Sequence, residues 1–197
     1  MAWTIRDAKR EKAIIDRIDQ GDDRSAAILA ASFLEDRLQK AILARLVHDK
    51  VVIGEMFKGY GPLATFRAKI DLAFLMSIIG APMRQHLHRI REIRNRFAHR
   101  LDVHHFEAIE IKDLSRKLPR IKDIAILHAS VQALANKDEG SKPLGFIAIW
   151  LTPLLSMPDT ERNAYMNTLK IFLFMLELIT HFALLDHDRE GFSLEMI

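Results

Sequence analysis

The sequence predicts an all-α protein, a single helical bundle with no sheet. Three observations carry that expectation. Apolar residues recur three and four positions apart over long stretches, the period of one helix face, and no stretch alternates apolar with polar as a half-buried strand does. Glycine and proline gather mostly between those stretches, where they end helices. With 197 residues, 49% of them hydrophobic and 28% charged, the chain can bury a sizeable core and is not of disordered composition. Residues 1–197 are therefore expected to form one all-helical domain, with a core over 22–101 and further helices over 104–187.

A first helix is expected over residues 4–19, where Ile5, Ala8, Ile15 and Ile18 share a face. Gly21-Asp22-Asp23 breaks it, since glycine suits a helix end and aspartate caps a helix start. A longer helix over 24–47 carries Ala26, Ala27, Ala30, Phe33, Leu34, Ala41 and Leu46, a face of small residues that permits close packing, with Glu35, Asp36 and Arg37 interrupting it. Residues 48–60 read as a partly helical connection that ends in the turn Gly59-Tyr60-Gly61-Pro62. A third helix over 64–79 places Phe66, Ile70, Ala73, Phe74 and Ile78 together, with Lys69 and Asp71 elsewhere. Gly80-Ala81-Pro82 ends it, and Pro82 suits the first turn of the next helix, so the two form an antiparallel hairpin. Helices at 106–118 and 121–135 follow, then a polar loop at 136–143 and two very apolar stretches at 144–157 and 171–185. The last two are too short for bilayer spans and read as buried helices or a subunit interface. Glu177 and His181, one helical turn apart in the second, pair either as a structural contact or as an acid and base.

Composition removes several kinds of chemistry. Without cysteine there is no disulfide, thiolate metal site or cysteine nucleophile. The amino terminus has no apolar segment of the secretory kind, so a cytoplasmic location is expected, with no membrane partner. No Gly-rich phosphate loop and no HExxH-type ligand spacing occur, even though His104 and His105 are adjacent, so neither cofactor nor metal is expected. A net charge of +3 is uninformative, but its distribution is not.

Basic charge concentrates in residues 83–102, Met-Arg-Gln-His-Leu-His-Arg-Ile-Arg-Glu-Ile-Arg-Asn-Arg-Phe-Ala-His-Arg-Leu-Asp. Met83, Leu87, Ile90, Phe97 and Leu101 follow the helix period, and Arg94 takes the missing step. A guanidinium keeps its charge and needs a partner when buried; Glu35 is the candidate for it. Asn95 and His99 share a flank one turn apart, so Arg94, Asn95 and His99 are expected to cluster. Arg84, Arg89, Arg91, Arg96 and Arg100 add a strip that reads either as a track for nucleic-acid phosphates or as a solvated, salt-bridged face. Histidine moves protons near neutral pH, arginine neutralises a phosphate, asparagine orients either, and RNA supplies its own 2′-hydroxyl nucleophile. The cluster can therefore handle a phosphodiester without a metal.

The pattern Arg94-Asn95-x-x-x-His99 resembles the R-x4-6-H signature of HEPN domains (higher eukaryotes and prokaryotes nucleotide-binding). More narrowly, Arg-Asn-Arg-Phe-Ala-His, with Gly-Pro-Leu-Ala-Thr-Phe-Arg-Ala-Lys-Ile-Asp-Leu-Ala-Phe at 61–74, is similar to the mannitol operon repressor family, best over 22–101. Arg96 departs from it, standing where those repressor-like proteins are expected to carry an acid. The resemblance implies a regulatory protein, a repressor of a sugar operon or an interaction module, without a standard helix-turn-helix. It also implies the alternative of a metal-independent endoribonuclease, with His99 as acid and base, Arg94 stabilising the phosphorane and Asn95 orienting them. HEPN domains commonly pair, so a homodimer through the 83–101 helix or its surroundings is expected, with RNA, DNA or a regulatory protein as further partner.

Overall fold

Asp22 starts the helix around which the bundle forms. Its carboxylate accepts from the Ser25 N–H at 3.0 Å and opens α1, Asp23–Leu43. In the computed structural model, which describes residues 13–135 and 151–190, every regular element is a helix. The described part of the first expected helix, 13–19, is helical; its residues 4–12, the loop 136–143 and the first half of the 144–157 stretch lie outside the described residues.

α1 buries Ala26, Ala27, Ala30, Ala31, Leu34, Leu38, Ala41 and Ile42. At 100° per residue these cover an arc of roughly 160°, wide enough for several neighbours. Three helices use it: α3, Phe66–Leu75; α4, Ala81–His99; and α7, Glu161–Glu190. Small alanine side chains let these helices come close. Between α1 and α3 runs α2, Lys50–Phe57, whose cap residue Asp49 accepts from the Val51 and Val52 N–H groups. α5, Ile109–Ser115, and α6, Ile121–Ala135, precede a 3-10 turn at Thr152–Ser156 and then α7.

Some ends differ from expectation. α1 stops at Leu43 rather than 47: the Arg45 and Leu46 N–H groups donate only three residues back, to Ile42 O and Leu43 O, and Asp49 then caps a new helix. α3 starts at Phe66, where Thr65 accepts from the Ala68 N–H, and stops at Leu75 instead of 79. There Ser77 takes φ 57°, and the Ile78 N–H folds back to Ala73 O at 2.9 Å. That left-handed turn aims Ile78 and Ile79 into the core. Pro82 does sit in the first turn of α4.

The 171–185 stretch belongs to a helix that begins ten residues earlier, at Glu161. Tyr165, Leu169, Phe172 and Leu176 are buried along it at steps of four and three, so α7 joins the helices expected at the centre. Phe106 ties them together: its ring lies 5.0 Å from Phe97 of α4 and 5.2 Å from Tyr165, whose hydroxyl donates to Ala27 O of α1 at 2.8 Å. Burial pushes that phenol far above its ordinary range, and it serves as a fixed donor. No helix among the described residues is long and apolar enough to cross a membrane.

Candidate functional site

α4 buries Met83, Leu87, Ile90, Ile93 and Phe97. Ile93 widens the buried face beyond the expected seam, and Leu101 lies beyond the end of the helix, exposed. Arg94 lies on the same face, between Met83 and Leu87 around the helix, its side chain 28% accessible.

Arg94 does meet Glu35. Its Nη2 lies 3.5 Å from Glu35 Oε2, an ion pair rather than a tight hydrogen bond, and Nη1 donates to Asn95 Oδ1 at 3.1 Å. The other Glu35 oxygen accepts from Lys69 Nζ at 2.8 Å, and the Lys69 side chain is only 8% accessible. One carboxylate of α1 thus holds cations from α3 and α4. Arg94 Nε is buried without a hydrogen-bond partner among the described residues, so there the guanidinium is oriented by its outer nitrogens.

His99 has separated from this network. It is exposed and lines an open pocket of about 410 Å³ together with Glu92, Asn95, Arg96, Arg100 and Glu110. Asn95 is the hinge between the two halves of the motif, bonded to Arg94 on one side and facing the pocket on the other. Arg96 donates to Glu92 at 2.7 Å and to Glu110 O at 2.6 Å. Arg100 donates twice to Asp102 at 3.1 Å and lies 3.3 Å from Glu110. Those bonds hold the Asp102 carboxyl below, and the Arg100 guanidinium above, their ordinary ranges. Two acids offset two arginines in the pocket wall, which is far from a bare cationic surface.

Most of the arginine strip has partners in its own chain. Arg84 donates from Nε and Nη2 to Asp71 Oδ1, at 2.9 and 2.6 Å, and lies over the Phe74 ring. With His88 Nε2 3.2 Å away, this keeps the Asp71 carboxyl below its ordinary range. Arg89 donates to Lys117 O at 3.0 Å and contacts His86 Nδ1 at 3.1 Å. Arg91 has a buried Nε with no hydrogen-bond partner among the described residues. The helix turns these arginines to two flanks, Arg84 and Arg91 on one, Arg89, Arg96 and Arg100 on the other.

Sequence reasoning missed Lys69, Glu92 and Glu110. The two acids are ordinary surface residues until α5 brings Glu110 against α4. The expected pairing of Glu177 with His181 lies outside the described side chains; Glu177 instead pairs with Arg37 at 3.2 Å. Among the described residues no group of three histidine or acidic side chains is placed to hold a metal.

No protein-family model, no curated protein and no solved structure matches the chain. The family resemblance rests on the motifs alone.

Proposed function

We propose that this chain is a regulatory protein of the mannitol operon repressor type, a repressor or interaction module whose Arg-Asn-x-x-x-His motif is chiefly a packing network. The observation that carries this reading is the Glu35 carboxylate between Lys69 and Arg94. A guanidinium already neutralised by a part-buried acid is a poor phosphate ligand, because moving to a phosphate would break its ion pair and leave the Glu35 carboxylate to Lys69 alone. The partnered arginines on the rest of α4 point the same way. Deleting the gene and sequencing total RNA is the test: a regulator gives derepression of a defined set of transcripts, restored by the wild-type copy. An unchanged transcriptome in the presence and absence of sugar alcohols overturns it.

A second reading, a metal-independent endoribonuclease acting through Arg94, Asn95 and His99, is favoured by one feature, the open pocket where Asn95 and His99 sit beside Arg96 and Arg100. Cleavage of single-stranded RNA in EDTA that is lost in His99→Ala would establish it over the first.

A further inference from the structure

Among the described residues the Arg91 side chain makes no ion pair and no hydrogen bond, although it is half-buried and its Nε is shielded from water. A guanidinium keeps its charge, so such burial is costly until an anion meets it. Its neighbours one turn away on α4 are Leu87, His88, Arg94 and Asn95, none of them an acid, and Glu35 is already shared by Arg94 and Lys69. The surroundings of Arg91 are held in place. At 100° per residue Arg84, His88 and Arg91 lie within about 60° of one another around α4, on the side that meets Asp71 of α3. Asp71 takes Arg84 and His88 on one oxygen, Oδ1, while its Oδ2 comes only within 3.9 Å of Arg67 Nε. α3 and α4 form an antiparallel hairpin, so Arg67, one turn before Asp71, comes level with Arg91, one turn after His88. The Arg67 side chain is 73% accessible and has no other partner among the described residues. Three guanidinium groups thus share one carboxylate, and two positive charges remain.

We propose that Arg67 and Arg91 form an anion site on the α3–α4 surface, and that its ligand is a terminal phosphate group, free or carried by a small molecule. Guanidinium groups from two helices can each donate to the oxygens of one tetrahedral anion, and a phosphate of nearly two negative charges cancels the excess. A carboxylate would leave one positive charge unmatched. Arg84, fixed by Asp71 and lying over the Phe74 ring, adds its field without having to move. A nucleic-acid strand is the poorer occupant. Along this side of α4 the next arginines, Arg84 and Arg94, are held by Asp71 and Glu35, so unmatched charge is confined to one place, where a strand needs a run of it. The site does not depend on the regulatory reading, since a protein of either proposed function could carry it.

The test is isothermal titration calorimetry of the full chain at low ionic strength, with inorganic phosphate and propyl phosphate as probes. One equivalent should bind, and Arg91→Gln or Arg67→Gln should each weaken it at least roughly tenfold, as the loss of a charged donor does. Arg116→Gln, which removes the same charge from the end of α5, should leave binding unchanged. The probe that binds should also raise the thermal midpoint of wild type and not that of Arg91→Gln. Arg67 is exposed, so Arg67→Gln gives the readout even where Arg91→Gln fails to fold. Tighter binding of propyl phosphate puts the phosphate on a small molecule; equal or weaker binding makes free phosphate the ligand. A chain that binds neither probe overturns the proposal. So does binding that survives both Arg67→Gln and Arg91→Gln, binding that Arg116→Gln weakens as much, or single-stranded RNA held by the same two arginines more tightly than propyl phosphate.

Discussion

Lys69 Nζ donates to Glu35 Oε1 at 2.8 Å and joins α3 to α1 where Arg94 reaches the same carboxylate from α4. Glu35→Ala would leave a nearly buried ammonium and a part-buried guanidinium facing each other. Removing one partner of a buried pair typically costs about 3 kcal/mol or more, whereas Glu35→Gln keeps a hydrogen-bond acceptor and should cost less. Urea denaturation of the two variants is the check. Equal stability of wild type and Glu35→Ala would show that the carboxylate does not hold these helices.

Arg94 and His99 should separate under mutation. Arg94→Ala removes the ion pair, the bond to Asn95 and the packing of a methylene stem, so a loss of about 1–3 kcal/mol is expected. His99 is exposed, and among the described residues it makes no hydrogen bond, so His99→Ala should move the melting temperature by less than about 2 °C. For a regulator, neither variant nor wild type cleaves RNA between about pH 5 and 8. Melting curves and a gel assay read both outcomes.

Part of this was legible in the residues. The all-helical class, the Pro82 start of α4, the start of α6 at Ile121 and the Arg94 to Glu35 pairing all follow from period, capping and the need to neutralise a guanidinium. The reach of α7 was hidden because 161–170 looks polar. Yet Asn167, Thr168 and Lys170 are buried there, Thr168 donating to Ala164 O at 2.7 Å and Lys170 to Asp19 at 2.6 Å. A polar side chain that satisfies itself within its helix, or against a distant acid, leaves no mark in a hydrophobic pattern. Lys69 misled in the same way: periodicity assigns a lysine outward, and only the position of Glu35 makes burial tolerable.

Acid should act through His86. Burial first, then the charge of Arg89, lowers its pKa from the ordinary 6.5, with Asp123 opposing. Arg89 can only donate, so His86 Nδ1 accepts and the neutral ring is the form that fits. With the folded value below the unfolded one, the unfolded chain binds more protons between them, and stability falls as pH drops through 6.5 toward the folded value. His86→Gln should flatten this slope between about pH 7 and 5, above the range in which ordinary carboxylates titrate. Urea midpoints across that window, in wild type and variant, measure it. Parallel profiles would remove His86 from the acid response.

Asp23 is the acid most tightly committed to the fold. Arg162 of α7 donates to its Oδ1, and the same guanidinium donates to Asp19 O at 2.6 Å and Gly21 O at 2.9 Å. The second carboxylate oxygen accepts from the Phe106 N–H at 3.0 Å and so fixes the ring between Phe97 and Tyr165. Asp23→Asn keeps an acceptor for one of these donors and loses the charge; Asp23→Ala loses both. A cost of about 1–2 kcal/mol for the first and about 3 kcal/mol for the second is expected, since the second leaves a part-buried guanidinium and a backbone N–H without their partner. The two losses should also differ in place. Hydrogen exchange in Asp23→Ala should rise at Phe106 and at the first turn of α7 before it rises in the 66–75 helix, which Asp23 does not touch. A uniform rise across all helices would mean that Asp23 acts only on global stability and not as the local tie between α1, the Phe106 turn and α7.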